Sequence, residues 1–195
     1  MARKSAAVRR EEILAATVEE IEATGLRALR VSDVAARLGL SASLVIYHFE
    51  TKEALVAEAF DFAGRQDIDR ARELAAGHVS ALQRLRDVVG WYLPSGSSRS
   101  WKIWIDAWSA GLFDAGLRAT FAALDREWKS ILVHLMDEAI AAGECTAPDG
   151  GTASGATRVL AFLDGLAIQV MVNSETVDTE ALSTWVDDFL TRELG

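Results

Sequence analysis

One stretch near the start of the chain, VSDVAARLGLSASLVIYHFETK (Val31 to Lys52), restricts the fold more than any other. Val31, Val34, Ala35 and Leu38 fall on one side of a short helix over about residues 32–38, and Gly39 stops it. Ser41 then stands where a hydroxyl can cap a helix running from Ala42 to about Phe49. A helix-turn-helix needs a tight turn and apolar, partly small residues where its two helices face each other. Gly39 meets the first need, and Val34, Ala35, Leu38, Val45 and Phe49 meet the second. The opposite side of the second helix carries Ala42, Ser43, Ile46 and Tyr47, small, hydroxylic or aromatic groups able to enter a major groove. Its capped start offers amides and a positive dipole end to a phosphate.

The rest of the chain reads as helix on the 3.6-residue period. Leu14, Val18 and Ile21 mark a first helix from about Val8 to Ala23, closed by Gly25. Thr51 is placed to cap a longer helix that continues to about Ala76, and another runs from about Ser80 to Trp91 before Pro94. Residues 94–98 read as a loop. Trp101, Trp104, Ile105, Trp108 and Leu112 then define an amphipathic helix with three indoles on one stripe. Asp114 can cap its successor, where Leu117, Phe121, Leu124, Trp128, Ile131 and Leu135 alternate steps of four and three. After a loop rich in small and polar residues (144–155), one helix is apolar on more than one side and a last one carries Leu182, Trp185, Val186, Phe189 and Leu190. The fold expected is all-α, with about nine helices. The excess apolar surface of the last two predicts a homodimer in which they form an intermolecular four-helix bundle.

The net charge of −9 is unevenly spread. Residues 1–52 hold eight Lys/Arg against seven Asp/Glu, a net of +1, and four of those cations (Arg3, Lys4, Arg9, Arg10) precede the first acid. The remainder carries −10, so a basic arm and a near-neutral segment that can approach a polyanion precede an acidic body. Two regions are expected: a DNA-binding domain over 1–52, and an effector-binding and dimerisation domain over 53–195. No apolar run approaches the roughly 20 residues that cross a bilayer, so no membrane partner is expected and the cytoplasm is the expected location. The single Cys145 has no His or Cys at metal-ligand spacing. Three scattered histidines (His48, His78, His134) and no phosphate loop organise no catalytic group. No enzyme, metal or cofactor is expected.

The run GLSASLVIYHFETKEAL (Gly39 to Leu55), preceded by DVAARL (Asp33 to Leu38), resembles the N-terminal signature of the TetR family of transcriptional regulators. The phrase FLDGLAIQ (Phe162 to Gln169) and the tryptophan-rich sixth helix are similar to regulators with a BetI-like C-terminal domain. The resemblance implies an all-helical homodimer that binds a double-stranded operator and a small-molecule effector, repression being the family default. It places Ser32, Ala42, Ser43, Leu44 and Ile46 toward bases or the groove, and Tyr47, His48 and Lys52 on the phosphate backbone. Ser41, expected to cap the recognition helix, is counted with them among the DNA-binding residues. This chain departs from many relatives in carrying its aromatic residue at Tyr47 rather than at 46, and Arg30 where Ser or Thr often caps the second helix. Arg30 is therefore expected on the DNA backbone.

Effector walls are expected among Trp91, Trp101, Trp104, Trp108, Phe121, Trp128 and His134, with Asp106, Gln169 and Asn173 as polar contacts. An indole cage suits a quaternary ammonium ligand. The alternative is a helical protein-interaction or ligand-binding dimer without operator binding.

Overall fold

The computed structural model describes residues 5–94, 99–173, 175, 177–178 and 180–195, with the side chains of 99 and 100 left aside. Among them, nine helices account for all regular structure: α1 (Ala6–Thr24), α2 (Val31–Arg37), α3 (Ala42–Phe49), α4 (Lys52–Ala75), α5 (Ala81–Tyr92), α6 (Arg99–Gly111), α7 (Ala115–Ala141), α8 (Thr152–Val172) and α9 (Leu182–Leu194). Arg3, Lys4 and residues 95–98 of the loop expected over 94–98 lie outside the described residues.

Helix boundaries follow local chemistry. Ser5, Ser41, Ser80, Thr51 and Asp114 each accept from a backbone amide three residues on, at 2.9–3.3 Å, satisfying donors that a helix start leaves free. α1 ends at Gly25 (φ +81°) and α2 gives way at Gly39 (φ +64°). There the amide of Leu40 reaches back to the carbonyl of Ala35 at 2.9 Å, a left-handed closure that lets α3 leave at once in a new direction. Glu50, between α3 and α4, is the described non-glycine residue with positive φ (+65°).

The described residues fall into two compact units, one drawn from 1–66 and 99–124, the other from 67–98 and 125–195. This packing division differs from a break at residue 52, because α6 and the start of α7 join the first unit. Its core unites Ile13, Val34, Val45, Phe49, Leu55 and Phe60 with Ile103, Ala107 and Leu117. In the second unit the buried positions include Ile68, Leu85, Val88, Trp128, Leu132, Met136, Leu163 and Leu190.

One expectation needs correcting. α8 is long and apolar enough, by length and composition, to cross a bilayer. Its run is interrupted by Arg158 and Asp164, and both have partners: Arg158 pairs with Glu193, and Asp164 with Tyr92. Val159, Leu163, Ala167 and Val170 are buried against the second unit. A core helix with apolar residues on two sides meets the same length and composition test.

Candidate functional site

α3 is anchored by Val45 and Phe49, which are 0% and 2% exposed. Its outer side presents Ser41, Ala42, Ser43, Leu44 and Tyr47 to solvent, with Tyr47 80% exposed, while Ile46 and His48 are half-buried. The hydroxyls of Ser41 and Ser43 share a hydrogen bond at 3.0 Å, so the cap also orients the exposed Ser43. Ser32, on α2, is exposed and donates to Asp33 at 3.2 Å. These side chains can make hydroxyl and methyl contacts, but none supplies a bidentate fork to a base edge.

The cations divide into those that hold the fold and those that remain available. Arg10 donates to the carbonyl of His48 and to Glu58, and its guanidinium lies 4.3 Å from the centre of the Phe49 ring. It therefore fastens the end of α3 to α1 and α4. Arg9 pairs with Glu12 at 2.9 Å, and Arg37 bridges Glu20 at 2.5 Å and Glu19 at 3.5 Å. The basic arm expected before Glu11 is thus corrected at Arg9 and Arg10, which belong to α1 and are paired because acids lie one turn or one helix away. Lys52 is half-buried and donates to the carbonyl of Leu29 at 2.6 Å, tying the start of α4 to the α1–α2 loop. Arg30 occupies the cap position of α2 with no side-chain capping bond, and both it and Arg27 are exposed.

The expected effector residues separate by unit. In the first, Trp104 faces Phe60 and Phe121, and Trp108 meets Phe121 edge-on at 5.7 Å and Trp101 at 6.2 Å. The cavity lined by Phe60, Trp104, Thr120, Phe121 and Leu124 measures about 10 Å³, room for about one water. The buried indole N–H of Trp108 has no hydrogen-bond partner among the described residues. Asp106 is already engaged: its Oδ2 accepts from the amide of Leu26 at 2.8 Å.

In the second unit, Trp91 stacks on Trp128 at 6.0 Å and 18°, and Tyr92 meets Trp128 edge-on at 4.8 Å. The hydroxyl of Tyr92 donates to Asp164 at 2.8 Å. Burial, outweighing the favourable Tyr92 bond and aided by Asp125, pushes the Asp164 carboxyl up to about 6. Burial first, then Asp164, raises the Tyr92 phenol well above its ordinary range, so it remains a donor at neutral pH. His134 is 69% exposed beside Glu138, and exposed Gln169 accepts from Asn173 at 2.8 Å. Tyr92 and Asp164 were not singled out from the sequence. The available signal was a carboxylate inside the apolar FLDGLAIQ segment, where a charge requires a partner. Among the described residues, no group of three His, Cys, Asp or Glu could hold a metal.

An all-helical chain that sets a capped, solvent-facing recognition helix on such a frame has the architecture of a helix-turn-helix DNA-binding transcriptional regulator. The profile for bacterial regulatory proteins of the tetR family matches residues 13–59, and that for the C-terminal part of BetI-type transcriptional repressors matches 81–195. The chain belongs to the TetR family of transcriptional regulators, with a C-terminal part of the BetI repressor type. It is 24% identical to the HTH-type transcriptional regulator BetI of Escherichia coli strain K12 over 191 residues, covering 96% of this chain and 94% of that protein. It is 26% identical to BetI of Burkholderia mallei strain NCTC 10229 over 192 residues, with the same coverage of each chain. A transcriptional regulator from Saccharomonospora viridis, solved in complex with choline, superposes with a TM-score of 0.86 at 23% identity over 96% of this chain and 98% of that one. A TetR regulator from Haloarcula marismortui also superposes at 0.86, with 19% identity over 97% and 100% of the two chains.

Proposed function

We propose that this regulator is a repressor that binds its operator as a homodimer and releases it on binding a small organic cation. The observation that carries the cation is the second unit's juxtaposition of a half-buried carboxylate, Asp164, with the ring group Tyr92, Trp128 and Trp91. Ring faces attract a cation and a desolvated carboxylate balances its charge. The choline bound to the S. viridis regulator is a cation of that class. The residues proposed for operator binding are Arg30, Ser32, Ala42, Ser43, Leu44, Ile46, Tyr47, His48 and Lys52, held by the Ser41 cap.

Dimerisation through α8 and α9 is supported by apolar side chains left open on them: Ile168 (39% exposed), Val172 (67%) and Trp185 (41%). Beside these, Phe162 and Phe189 stack at 4.2 Å. Two recognition helices about 34–36 Å apart fit successive major grooves. Effector binding then weakens operator binding by its differential affinity for the two states, typically about 1–3 kcal/mol. A second reading has its own observation, the unpartnered indole N–H of Trp108, which suits an effector oxygen among the α6 rings.

Isothermal titration with choline tests the effector. Loss of binding in Asp164→Asn with retention in Trp108→Phe supports the carboxylate site; the reverse supports the α6 site. No heat at any accessible choline concentration removes this ligand class.

A further inference from the structure

The α1–α2 loop is held at two backbone atoms by side chains from distant helices. Asp106 of α6 accepts from the Leu26 amide across 80 residues of sequence, and Lys52 of α4 donates to the Leu29 carbonyl across 23. Between these ties the loop turns directly into α2, whose cap position is Arg30. The two bonds differ in what they replace. Lys52 holds a carbonyl already turned toward the start of α4, whereas Asp106 brings a carboxylate to a half-buried amide just beyond the end of α1.

The site is shaped for that carboxylate. Gly25 sits at φ +81°, and a Cβ built on it would lie 3.3 Å from Asp106 Oδ2. Any other residue there would be strained and would crowd the oxygen. On the same helix Ile103 and Ala107 are buried in the core shared with Val34, Val45 and Phe49, so α6 already touches the interior of the helix-turn-helix. Apolar contact resists separation but tolerates sliding, while one charge-assisted hydrogen bond fixes a direction.

We propose that Asp106 is a positioning residue for DNA binding: through the Leu26 amide it sets the pose of α2 and its Arg30. Asp106 thus acts on the operator without touching it, and a displacement of α6 that breaks this bond releases the loop at one of its two ties. The effector-contact role expected of Asp106 is replaced by this one.

The test is free of ligand, so it is decided whether or not choline is the effector. A duplex selected from random DNA by the wild-type protein is titrated by fluorescence anisotropy with Asp106→Ala and Asp106→Asn, and amide hydrogen exchange is followed at Leu26. Asp106→Ala is expected to speed exchange at Leu26 and to weaken the duplex roughly tenfold, the loss expected for a charge-assisted bond. Exchange at Val34 and Val45 should stay slow, which separates a changed pose from an unfolded domain. Asp106→Asn keeps an oxygen that can accept from Leu26 and should restore both readouts. Affinity within twofold of wild type despite fast exchange at Leu26 would overturn the proposal. So would equal impairment of the two variants, or loss of protection throughout α2 and α3 in both.

Discussion

Around α3 the groups that meet solvent include Ser43, Leu44 and Tyr47, and charges behind them are turned into the frame, as Arg10 is by His48 and Glu58. In the second unit the arrangement is inverted: the polar pair Tyr92 and Asp164 points inward, beside a buried Trp128. The difference teaches where each binding energy must come from. A polyanion is met by a surface whose geometry is set in advance and whose own charges are mostly spent. In the proposed reading a small cation is met by a half-buried carboxylate that partial desolvation has already pushed up to about 6.

The largest expected effect attacks the frame of the outward surface. Phe49→Ala removes a 2%-exposed ring and the face that Arg10 lies over, and should cost about 3–5 kcal/mol, read as a lower denaturation midpoint together with lost operator binding. Retention of full affinity would mean that α3 does not depend on this core.

Next comes the inward pair, through pH. The folded protein keeps a proton on Asp164 up to about pH 6, where the unfolded chain has released it near 4. Stability should therefore fall as pH rises from about 4 to about 6 and level off above, by roughly 2–3 kcal/mol at most. Asp164→Asn should flatten that slope in a series of urea melts. In the wild type, cation binding should weaken below about pH 6 as the carboxyl neutralises, and a profile flat from pH 5 to 7 would break the link between Asp164 and the effector.

Two smaller changes separate folding from recognition on the outward side. Ser41→Ala removes the cap bond to Leu44 and should cost about 1 kcal/mol of stability. Tyr47→Phe, at an 80%-exposed side chain, should leave stability within about 0.5 kcal/mol while weakening DNA binding alike for all sequences. A change in the preferred sequence would instead place the phenol on a base.

Much of this frame was legible from local pattern. The caps at Ser41, Thr51 and Asp114, the stops at Gly25 and Gly39, and the inward set Val34, Ala35, Val45 and Phe49 each depend on residues within about one turn, where spacing determines geometry. What escaped depends on partners far along the chain. Asp106 and Leu26, Lys52 and Leu29, and Tyr92 and Asp164 are 80, 23 and 72 residues apart, and no periodicity brings them together. The aromatic stripe of α6 shows the limit from the other direction. Its indoles were legible as one side of a helix, but the cavity of about 10 Å³ beside them is a property of packing.

The account stands most directly on one titration: the selected duplex against the wild-type protein, with and without choline, across a salt series. It predicts sequence-preferring binding that weakens with salt and is weakened further by choline in the range where choline binds. Binding with no sequence preference at any salt, or a choline-bound protein that holds the duplex as tightly as the free one, would contradict it.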